Sequence, residues 1–382
     1  MTIRIRILVV AAVSLVAAIA GLAAQERAQP LTIYFIDTEG GQSTLFVAPS
    51  GESLLVDTGN AGARDLGRIV DALQTAGVTS IDHLWTTHYH GDHVGALLEL
   101  ARRFPVGHFY DHGAPNPDDR IVSAEFLAAY EAVSRGKRTI VKPGDTLQMA
   151  GVDITTVASG NQFIRSNLPG GGDRNPSCEA VPRKDERAYP DPDNGDSAGF
   201  VLTFGRFRTI DLGDLTWNGE LDLMCPVNRI GTIDLYLTSH HGLEKSGSPA
   251  LVQALRPRVV VMNNGTRKGG TAEAFASLHS TSGIEDLWQL HWSYNAGLEN
   301  APARFIANLD APATIAGVLT SPPPAPGTPP PPRAGGPGRG PAAAAAAAHA
   351  PAYLVTVTAQ QDGTFTVTNT RNNFSKTYAR RP

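Results

Sequence analysis

The chain has 382 residues, 42% of them hydrophobic and 18% charged, which is typical of a globular protein that buries a large core. Its formal net charge of -4 excludes a global positive field that would bind nucleic acid by counterion release, so we expect no strong grip on a polyanion. Two cysteines, Cys178 and Cys225, are too few for a disulfide framework or a thiolate zinc site. They allow one disulfide in an oxidising compartment, and the sequence favours neither the bonded nor the free state.

The first 24 residues have the pattern of a secretory signal peptide. Arg4 and Arg6 precede an apolar run that ends in small residues near Ala24. The alternative is an uncleaved membrane anchor, because the run approaches the ~17–20 residues that span a bilayer. No cysteine follows the run, which argues against a lipoprotein anchor. We therefore expect a periplasmic or secreted protein with no stable membrane association after cleavage.

From residue 31 onward the pattern predicts an α/β protein. Short runs rich in β-branched and aromatic residues, separated by glycine-rich turns, predict strands at 31–37, 43–48 and 53–57. The spacing of apolar residues then predicts a helix at 64–76, and a further strand follows at 81–86. The next predicted elements are helices at 95–104 and 123–134 and strands at 106–110 and 151–158.

The segment 160–195 differs from its surroundings, because it is rich in Gly, Pro, Asn and Asp and has no periodicity. It is predicted to be a long loop, and such loops are usually functional or disordered. A hairpin is predicted after it (200–204 and 207–212), followed by strands at 233–238 and 259–262. Between those two strands, Ser248 and Pro249 predict the start of a helix.

The C-terminal region contains a low-complexity segment, 322–350, whose proline, glycine and alanine runs predict a disordered insertion. Beyond it, alternating residues around Asp362-Gly363 predict a β-hairpin within 352–382. A hairpin of this size is not stable alone. We therefore expect it to dock on the main domain, 31–320.

The chemistry of the chain is concentrated in the run Thr87-His88-Tyr89-His90-Gly91-Asp92-His93, which follows a predicted strand. Imidazole and carboxylate together suit zinc, manganese or iron. His88 and His90 can hold one metal ion, while Asp92 and His93 can turn to hold another. Two ions ~3.5–4 Å apart can share and activate a water molecule. A solvated histidine cluster without chemical purpose is the alternative, but four residues of the ligand type within six positions disfavour it.

This run resembles the signature of the metallo-β-lactamase superfamily, whose pattern matches the chain at further positions. Leu54-Leu55-Val56-Asp57-Thr58-Gly59 resembles the early aspartate turn, which implies that Asp57 orients the histidine loop. Asp211-Leu212-Gly213-Asp214 resembles a later Gly-Asp motif, which implies that Asp214 bridges two metal ions. Ser239-His240-His241-Gly242 supplies the last metal histidine, and the sequence leaves open whether His240 or His241 is the ligand.

A narrower resemblance, over about residues 31–265, is to the metallo-β-lactamase-like domain of competence-type DNA-uptake proteins. It depends on Gly40-Gly41-Gln42-Ser43, His240-His241-Gly242 and Ser248-Pro249. The chain departs from most of the superfamily because it has no obvious third histidine for the first metal. Asn194, in Asn194-Gly195-Asp196-Ser197, is one candidate oxygen ligand or substrate contact, and His112 is the competing ligand.

Several other polar residues follow predicted strands on the side of the ligands. Lys245, Lys268, Asn263 and Asn264 are candidate contacts for an anionic substrate, with a solvated surface role as the alternative. His279, His291 and Trp288 are candidates to line the cleft, although core packing explains Trp288 equally well.

The resemblance implies an αββα sandwich of two mixed sheets with outer helices, and two divalent metal ions, zinc first and manganese second. Asp92 and Asp214 are the expected catalytic residues, and the metal-activated water is the expected nucleophile. We expect an exported hydrolase of a phosphodiester or related anionic small molecule. The alternatives are hydrolysis of a β-lactam or lactone ring and a non-catalytic metal-binding module.

Overall fold

The structure is a computed structural model that describes residues 29–119, 122–185, 191–320 and 349–381. The predicted signal peptide lies outside the described residues, as does the low-complexity segment up to residue 348. Among the helices that are described, none has the length and apolar character needed to cross a bilayer.

In the described residues the strands are, in chain order, Leu31–Phe35 (β1), Thr44–Val47 (β2), Ser53–Val56 (β3), Ile81–Trp85 (β4), Val106–Asp111 (β5), Arg138–Ile140 (β6), Thr146–Met149 (β7), Val152–Ser159 (β8), Gln162–Phe163 (β9), Asp173–Arg174 (β10), Gly199–Phe204 (β11), Phe207–Asp211 (β12), Val227–Asn228 (β13), Leu235–Leu237 (β14), Val259–Met262 (β15), Asp286–His291 (β16), Ile306–Asn308 (β17), Val355–Ala359 (β18), Phe365–Asn369 (β19) and Phe374–Tyr378 (β20). The α-helices are Ala63–Thr75 (α1), Gly91–Val94 (α2), Leu97–Arg103 (α3), Ala124–Ser134 (α4), Pro192–Gly195 (α5), Trp217–Met224 (α6), Pro249–Leu255 (α7), Ala272–His279 (α8) and Pro312–Thr320 (α9). Short 3₁₀ turns occur at Pro176–Glu179, Ser239–Gly242 and Ala303–Phe305.

Two large mixed sheets organise these strands. The first has the order β20-β19-β18-β1-β2-β3-β4-β5-β6, and the second β17-β16-β15-β14-β12-β11-β8-β7 with β9 paired to β8. In the first sheet the strands from β3 to β6 are parallel, and in the second those from β12 to β17 are parallel. Parallel neighbours need crossover connections, and α1, α7 and α8 lie in three of these connections.

The hydrophobic core lies between the two sheets. Phe46 and Trp85 of the first sheet contact Phe200 of the second, with ring centroids 6.1 and 5.0 Å apart. Buried residues of α1 and α3 cover the outer face of the first sheet, while those of α7 and α8 cover the outer face of the second. The helices bury one face each, as Leu66, Ile69 and Leu73 do on α1. The predicted αββα sandwich is confirmed.

The C-terminal strands extend the first sheet. β18 pairs antiparallel with β1, from Leu31 opposite Ala359 to Phe35 opposite Val355. The sequence predicts a hairpin here, whereas the structure has three strands, because Phe374–Tyr378 adds β20 to β19. The pattern of β20 is hard to detect, since only Tyr378 of its five side chains is buried.

Two other segments differ from their predictions. The helix predicted at 95–104 begins at Leu97, and a separate turn, α2, precedes it, because Gly95 packs directly against the backbone of Asn60 and Ala61. The loop predicted at 160–195 contains β9, β10, a 3₁₀ turn and α5. It is also joined to the chain after α6 by a disulfide between Cys178 and Cys225.

The topology brings chemically active loops to one edge of the sandwich. β3 and β4 are parallel in one sheet, and β12, β14 and β15 are parallel in the other. The loops that follow these five strands carry Asp57, the histidine run, Asp214, the His240-His241 pair and Asn263-Asn264. Open α/β sheets usually place their sites at such carboxyl ends.

Candidate metal centre

The histidine run begins two residues after β4 and is largely buried. The side chains of His88 and His93 are inaccessible to solvent, whereas His90 keeps 18% of its side chain exposed. The short helix α2 starts at Gly91 directly after His90, and this turns Asp92 and His93 back towards the second sheet. The run therefore presents ligand atoms at the junction of the two sheets.

Four side chains converge in one group: Asp92, His93, Asp214 and His241. The Nε2 atom of His93 lies 3.3 Å from His241 Nε2 and 3.3 Å from Asp214 Oδ2. The Nε2 atom of His241 lies 3.3 Å from Asp92 Oδ2 and 3.4 Å from Asp214 Oδ2. Two donors bound to one zinc ion at ~2.0–2.3 Å in tetrahedral geometry lie roughly 3.3–3.8 Å apart. The group has the spacing of a metal site.

A second group, formed by His88, His90 and Asp214, lies next to the first. His88 Nε2 is 3.0 Å from His90 Nδ1 and 3.8 Å from Asp214 Oδ2. Both groups therefore use the same carboxylate oxygen, and the other oxygen, Oδ1, is buried without a hydrogen-bond partner among the described residues. The donor set fits two adjacent divalent ions that share Asp214.

The two adjacent histidines, His240 and His241, have different surroundings. His241 belongs to the four-residue group, whereas His240 Nε2 lies 3.5 Å from Asp214 Oδ2 alone. Both residues have left-handed backbone conformations, with φ of 52° and 56°. Non-glycine residues adopt this conformation at a cost, often at functional sites. The geometry therefore favours His241 as the ligand.

Burial and the neighbouring charges shift the pKa values of the residues in the centre. Burial lowers the pKa of His88 well below its usual value, and the neighbouring His93 lowers it further. Burial also opposes the charged form of His93, but Asp214, Asp57 and Asp92 hold its pKa well above the usual value. Burial would raise the pKa of Asp214, and the histidines around it nevertheless hold that pKa well below the ordinary range. The carboxylates thus favour a positive charge on His93, at the place where a bound metal ion would supply it.

Asp57 holds the histidine loop in place through hydrogen bonds, as the resemblance implies. Its Oδ1 accepts from the Thr87 backbone N–H at 2.8 Å, and its Oδ2 accepts from the Thr87 hydroxyl at 2.6 Å. The same Oδ2 lies 2.7 Å from His93 Nδ1, which leaves Nε2 facing the other ligands. Only glycine fits at position 213, with φ of 55° and a hypothetical Cβ 2.7 Å from that of Thr87, so the loop of Asp214 packs closely on this threonine.

Sequence reasoning missed a second supporting carboxylate, Asp119. Its Oδ2 lies 3.1 Å from His90 Nε2, which directs Nδ1 of the same ring towards His88. Metal-bound histidines commonly hold a carboxylate on the nitrogen that does not bind the ion. Asp119 is 29 residues beyond His90, in a proline-containing loop without periodicity, so no local signal identifies it.

The candidates for the missing third ligand lie beside the histidine loop. Asp193 accepts from the Tyr89 backbone N–H at 2.7 Å, and this hydrogen bond packs α5 against the histidine run. The next residue, Asn194, is buried and its Oδ1 has no hydrogen-bond partner among the described residues. His112 Nε2 lies 3.6 Å from Asp193 Oδ2 and does not belong to either ligand group. His112 Nε2 is also buried without a hydrogen-bond partner among the described residues, so both residues stay candidates for the third ligand.

The four residues predicted to contact the substrate form ion pairs or hydrogen bonds with other residues of the chain. Lys245 Nζ lies 2.5 Å from Asp191 Oδ2, and Lys268 forms an ion pair with Asp92. Asn263 lies within 3.4 Å of Thr238 and Gln42, and Asn264 donates to the backbone of Gly265 and His291. The ion pair of Lys268 reaches a member of the metal groups, Asp92.

The three residues predicted to line the cleft are placed elsewhere. His279 is on the surface, with its side chain 54% exposed near Glu299, so this prediction is wrong. Trp288 packs in the core between the sheets and donates to the Tyr378 hydroxyl at 3.1 Å, which agrees with the core-packing alternative. His291 is fully buried against Asp37 at 2.6 Å, in a separate cluster.

Comparison with known proteins supports the family resemblance. Residues 37–155, which contain Asp57 and the whole histidine run, match the model of the metallo-beta-lactamase superfamily. The match covers less than a third of the chain, and over these residues the larger resemblance predicted from the sequence is confirmed.

The individual relatives are distant and functionally diverse. The chain is 32% identical to the coenzyme F420H(2) oxidase of Methanothermobacter marburgensis over 26% of its own length and 24% of the relative's. It is 30% identical to an atrochrysone carboxyl ACP thioesterase of Passalora fulva, over 26% and 30% of the two chains. The chain thus spans less than half the length of the first curated relatives it matches. The metallo-beta-lactamase fold protein YhfI of Bacillus subtilis aligns with 68% of this chain and 96% of its own, at 12% identity and a TM-score of 0.43.

Proposed function

We propose that the protein is an exported metal-dependent hydrolase that uses a metal-activated water on a phosphodiester or related anionic substrate. One observation carries the proposal: a single carboxylate oxygen, Asp214 Oδ2, lies 3.3–3.8 Å from the Nε2 atoms of His88, His93, His240 and His241. A buried carboxylate in this position is suited to bridge two cations. Zinc is our first choice for the ions and manganese the second.

Two divalent ions in these groups would lower the pKa of a shared water towards ~7 and stabilise the charge that develops on the reacting oxygens. The protein supplies the geometry for this chemistry. Asp57 and Asp119 hold His93 and His90 in the tautomers that direct a bare nitrogen inward. Asp92 and Asp214 close the site, and Asn194 contributes an oxygen to the group that lacks a third histidine.

His240 is proposed to handle a proton at the site, while His241 acts as the ligand. Burial lowers the pKa of His240 to about 4, so the ring is neutral near pH 7. Its Nε2 points at the shared carboxylate, and its Nδ1 lies 3.4 Å from the Ser246 hydroxyl. A neutral imidazole in this position can exchange a proton with a substrate oxygen.

Lys268 supports an anionic substrate. Its side chain is 42% exposed and reaches Asp92 from the solvent side. A cation bound to Asp92 would repel the ammonium group, which would then be available to bind a negatively charged substrate. The resemblance to competence-type uptake proteins favours a phosphodiester, and the net charge of -4 favours a small substrate over a long polyanion.

Export is supported by the disulfide as well as by the N-terminal pattern. The bond between Cys178 and Cys225 is of a kind that persists in oxidising compartments. We therefore propose a periplasmic or secreted location.

A thioester is the second candidate substrate. The reason is that the chain matches part of a thioesterase at 30% identity. Hydrolysis of a β-lactam or lactone ring and a non-catalytic metal-binding role are the remaining alternatives. All of them use the same groups, so assays must distinguish them.

The decisive experiment measures the metal content of the purified full-length protein and its turnover of three substrates: a chromogenic phosphodiester, a thioester and a chromogenic β-lactam. We expect wild type to bind about two ions per chain more than Asp214→Ala does, and we expect phosphodiester turnover to fall to background in Asp214→Ala. The matched control is Asp222→Ala, since Asp222 is an exposed aspartate paired with Arg183 and should not affect either measurement.

Each outcome selects one alternative. Turnover of the thioester or of the β-lactam alone would replace the phosphodiester as substrate class. Bound metal without turnover of any substrate would favour the non-catalytic role. No difference between Asp214→Ala and wild type, in bound metal or in turnover, would refute the hydrolase.

A further inference from the structure

A second cluster of ligand-type side chains lies at the opposite end of the β1–β2 loop from the histidine run. It contains Glu39 from that loop, His291 from the end of β16, and His349, shortly before β18. One ligand atom from each of the three lies within 4.8 Å of the others. None of these residues belongs to the candidate metal centre.

The two imidazoles lie farther from the Glu39 oxygens than hydrogen bonds reach, at separations typical of ligands on one ion. His349 Nδ1 lies 3.7 Å from Glu39 Oε1, and His291 Nε2 lies 3.8 Å from Glu39 Oε2. Hydrogen bonds to nitrogen are formed at ~2.7–3.2 Å. Two donors on one tetrahedral zinc ion lie roughly 3.3–3.8 Å apart. The same range describes the candidate metal centre, where the corresponding distances are 3.3–3.8 Å.

The hydrogen bonds of His349 leave one of its two ring nitrogens available to bind a metal ion. Its Nε2 lies 3.0 Å from Asp310 Oδ1, so the proton of a neutral ring is held there. Its Nδ1 then carries a lone pair, is buried, and has no hydrogen-bond partner among the described residues. This is the arrangement in which a metal-binding histidine donates its other N–H to a carboxylate.

The surrounding charges also favour a cation. Three carboxylates, those of Asp37, Glu39 and Asp310, lie in or around the cluster, and Asp37 Oδ1 accepts a hydrogen bond from His291 Nε2 at 2.6 Å. Arg68 compensates part of this charge, with Nη1 2.9 Å from Asp37 and Nη2 3.2 Å from Glu39. Arg68 contacts these carboxylates, while His291 and His349 bond to Asp37 and Asp310. Imidazoles together with carboxylates suit zinc among the common divalent ions.

We propose that Glu39, His291 and His349 form a structural metal site for zinc or a similar divalent ion, which would take the place of the proton between His291 Nε2 and Asp37. The site connects three parts of the chain: the loop after β1, the end of β16, and the segment where the described chain resumes at residue 349. An ion there would anchor the C-terminal strands to the sandwich. It takes no part in the proposed hydrolysis.

The test is a count of bound metal in the full-length protein, loaded with zinc and freed of excess ion by gel filtration. His349→Ala and Glu39→Gln should each bind about one ion fewer than wild type. His279→Ala is the matched control, because its exposed imidazole pairs with a surface glutamate and its loss should leave the count unchanged. Glu39→Gln preserves side-chain shape, so it remains informative if His349→Ala folds poorly.

The same count in an Asp214→Ala background separates this site from the candidate metal centre. One ion should remain in Asp214→Ala and disappear when His349→Ala is added. If that ion is present while wild type shows no Asp214-dependent metal, the structural site stands and the proposed hydrolase falls. Equal metal content with and without His349, in both backgrounds, would overturn the proposal and leave a protonated His349 held between two carboxylates.

Discussion

Replacing Asp57 with asparagine tests whether this carboxylate determines which nitrogen of His93 can bind metal. Asp57 is 1% exposed, and its Oδ2 accepts from His93 Nδ1 at 2.7 Å. Asparagine has the same shape, and its remaining oxygen can still accept from the Thr87 backbone. The new amide group is a donor, however, and it faces His93 Nδ1. The ring must then move its proton to Nε2, the atom that faces Asp214 and His241.

The expected loss is about 10–100-fold in metal affinity at the four-residue group, the range found when the partner of a metal-binding histidine is changed. This corresponds to about 1.4–2.7 kcal/mol. Competition with a chelator of known affinity measures it directly. Asp234→Asn is the matched control, because Asp234 is also buried and accepts from a backbone N–H, that of Arg208, but precedes β14 at the other edge of the sheet. A folded Asp57→Asn protein that binds metal within twofold of wild type would refute the reasoning.

Three further outcomes are expected. Asp119→Asn should lower the metal affinity of the His88–His90 group by about tenfold, because it removes the acceptor on His90 Nε2; a metal titration checks this, and an unchanged affinity would count against it. Replacing Cys178 and Cys225 together by serine should lower the free energy of unfolding by about 4 kcal/mol, the chain-entropy value for residues 47 positions apart; an unchanged urea midpoint would contradict this. Burial raises the pKa of Glu220 from 4.5 to about 7, so the folded state binds its proton more tightly than the unfolded state does. The resulting stability is complete below pH 4.5 and lost as the pH rises through about 7, so wild type should lose about 3 kcal/mol more than Glu220→Gln between these values. Parallel urea-derived stability profiles of the two proteins would exclude this effect.

The parts of the molecule that local patterns specify were predictable from the sequence. The histidine run, the Asp57 turn and the Asp214 turn each follow a short run of strand-forming residues, and the resemblance to the superfamily implied that they belong to one metal site. Ser248 caps α7 by accepting from Leu251 N–H, as its position before Pro249 indicates.

The remaining features of the site depend on contacts between residues that are far apart in the sequence, which no local pattern records. Sequence reasoning could not choose between His240 and His241, because the choice depends on left-handed backbone angles at both residues. Asp119 reaches His90 from a loop without periodicity, and Lys268 meets Asp92 across 176 positions of the chain. His291 was predicted to face the cleft, but it turns towards Asp37, a partner 254 residues away.

The pairing of β18 with β1 has a consequence for how the molecule is made. Every residue of β1 lies opposite a residue more than 300 positions later in the chain. Contacts of such long range form late, because loop closure must precede them. While the C-terminus is absent, β1 has an unpaired edge, which can recruit strands of other molecules. Among the described strands β1 is synthesised first, so it needs protection until β18 is complete, and a shortened chain that ends before residue 352 should aggregate instead of folding.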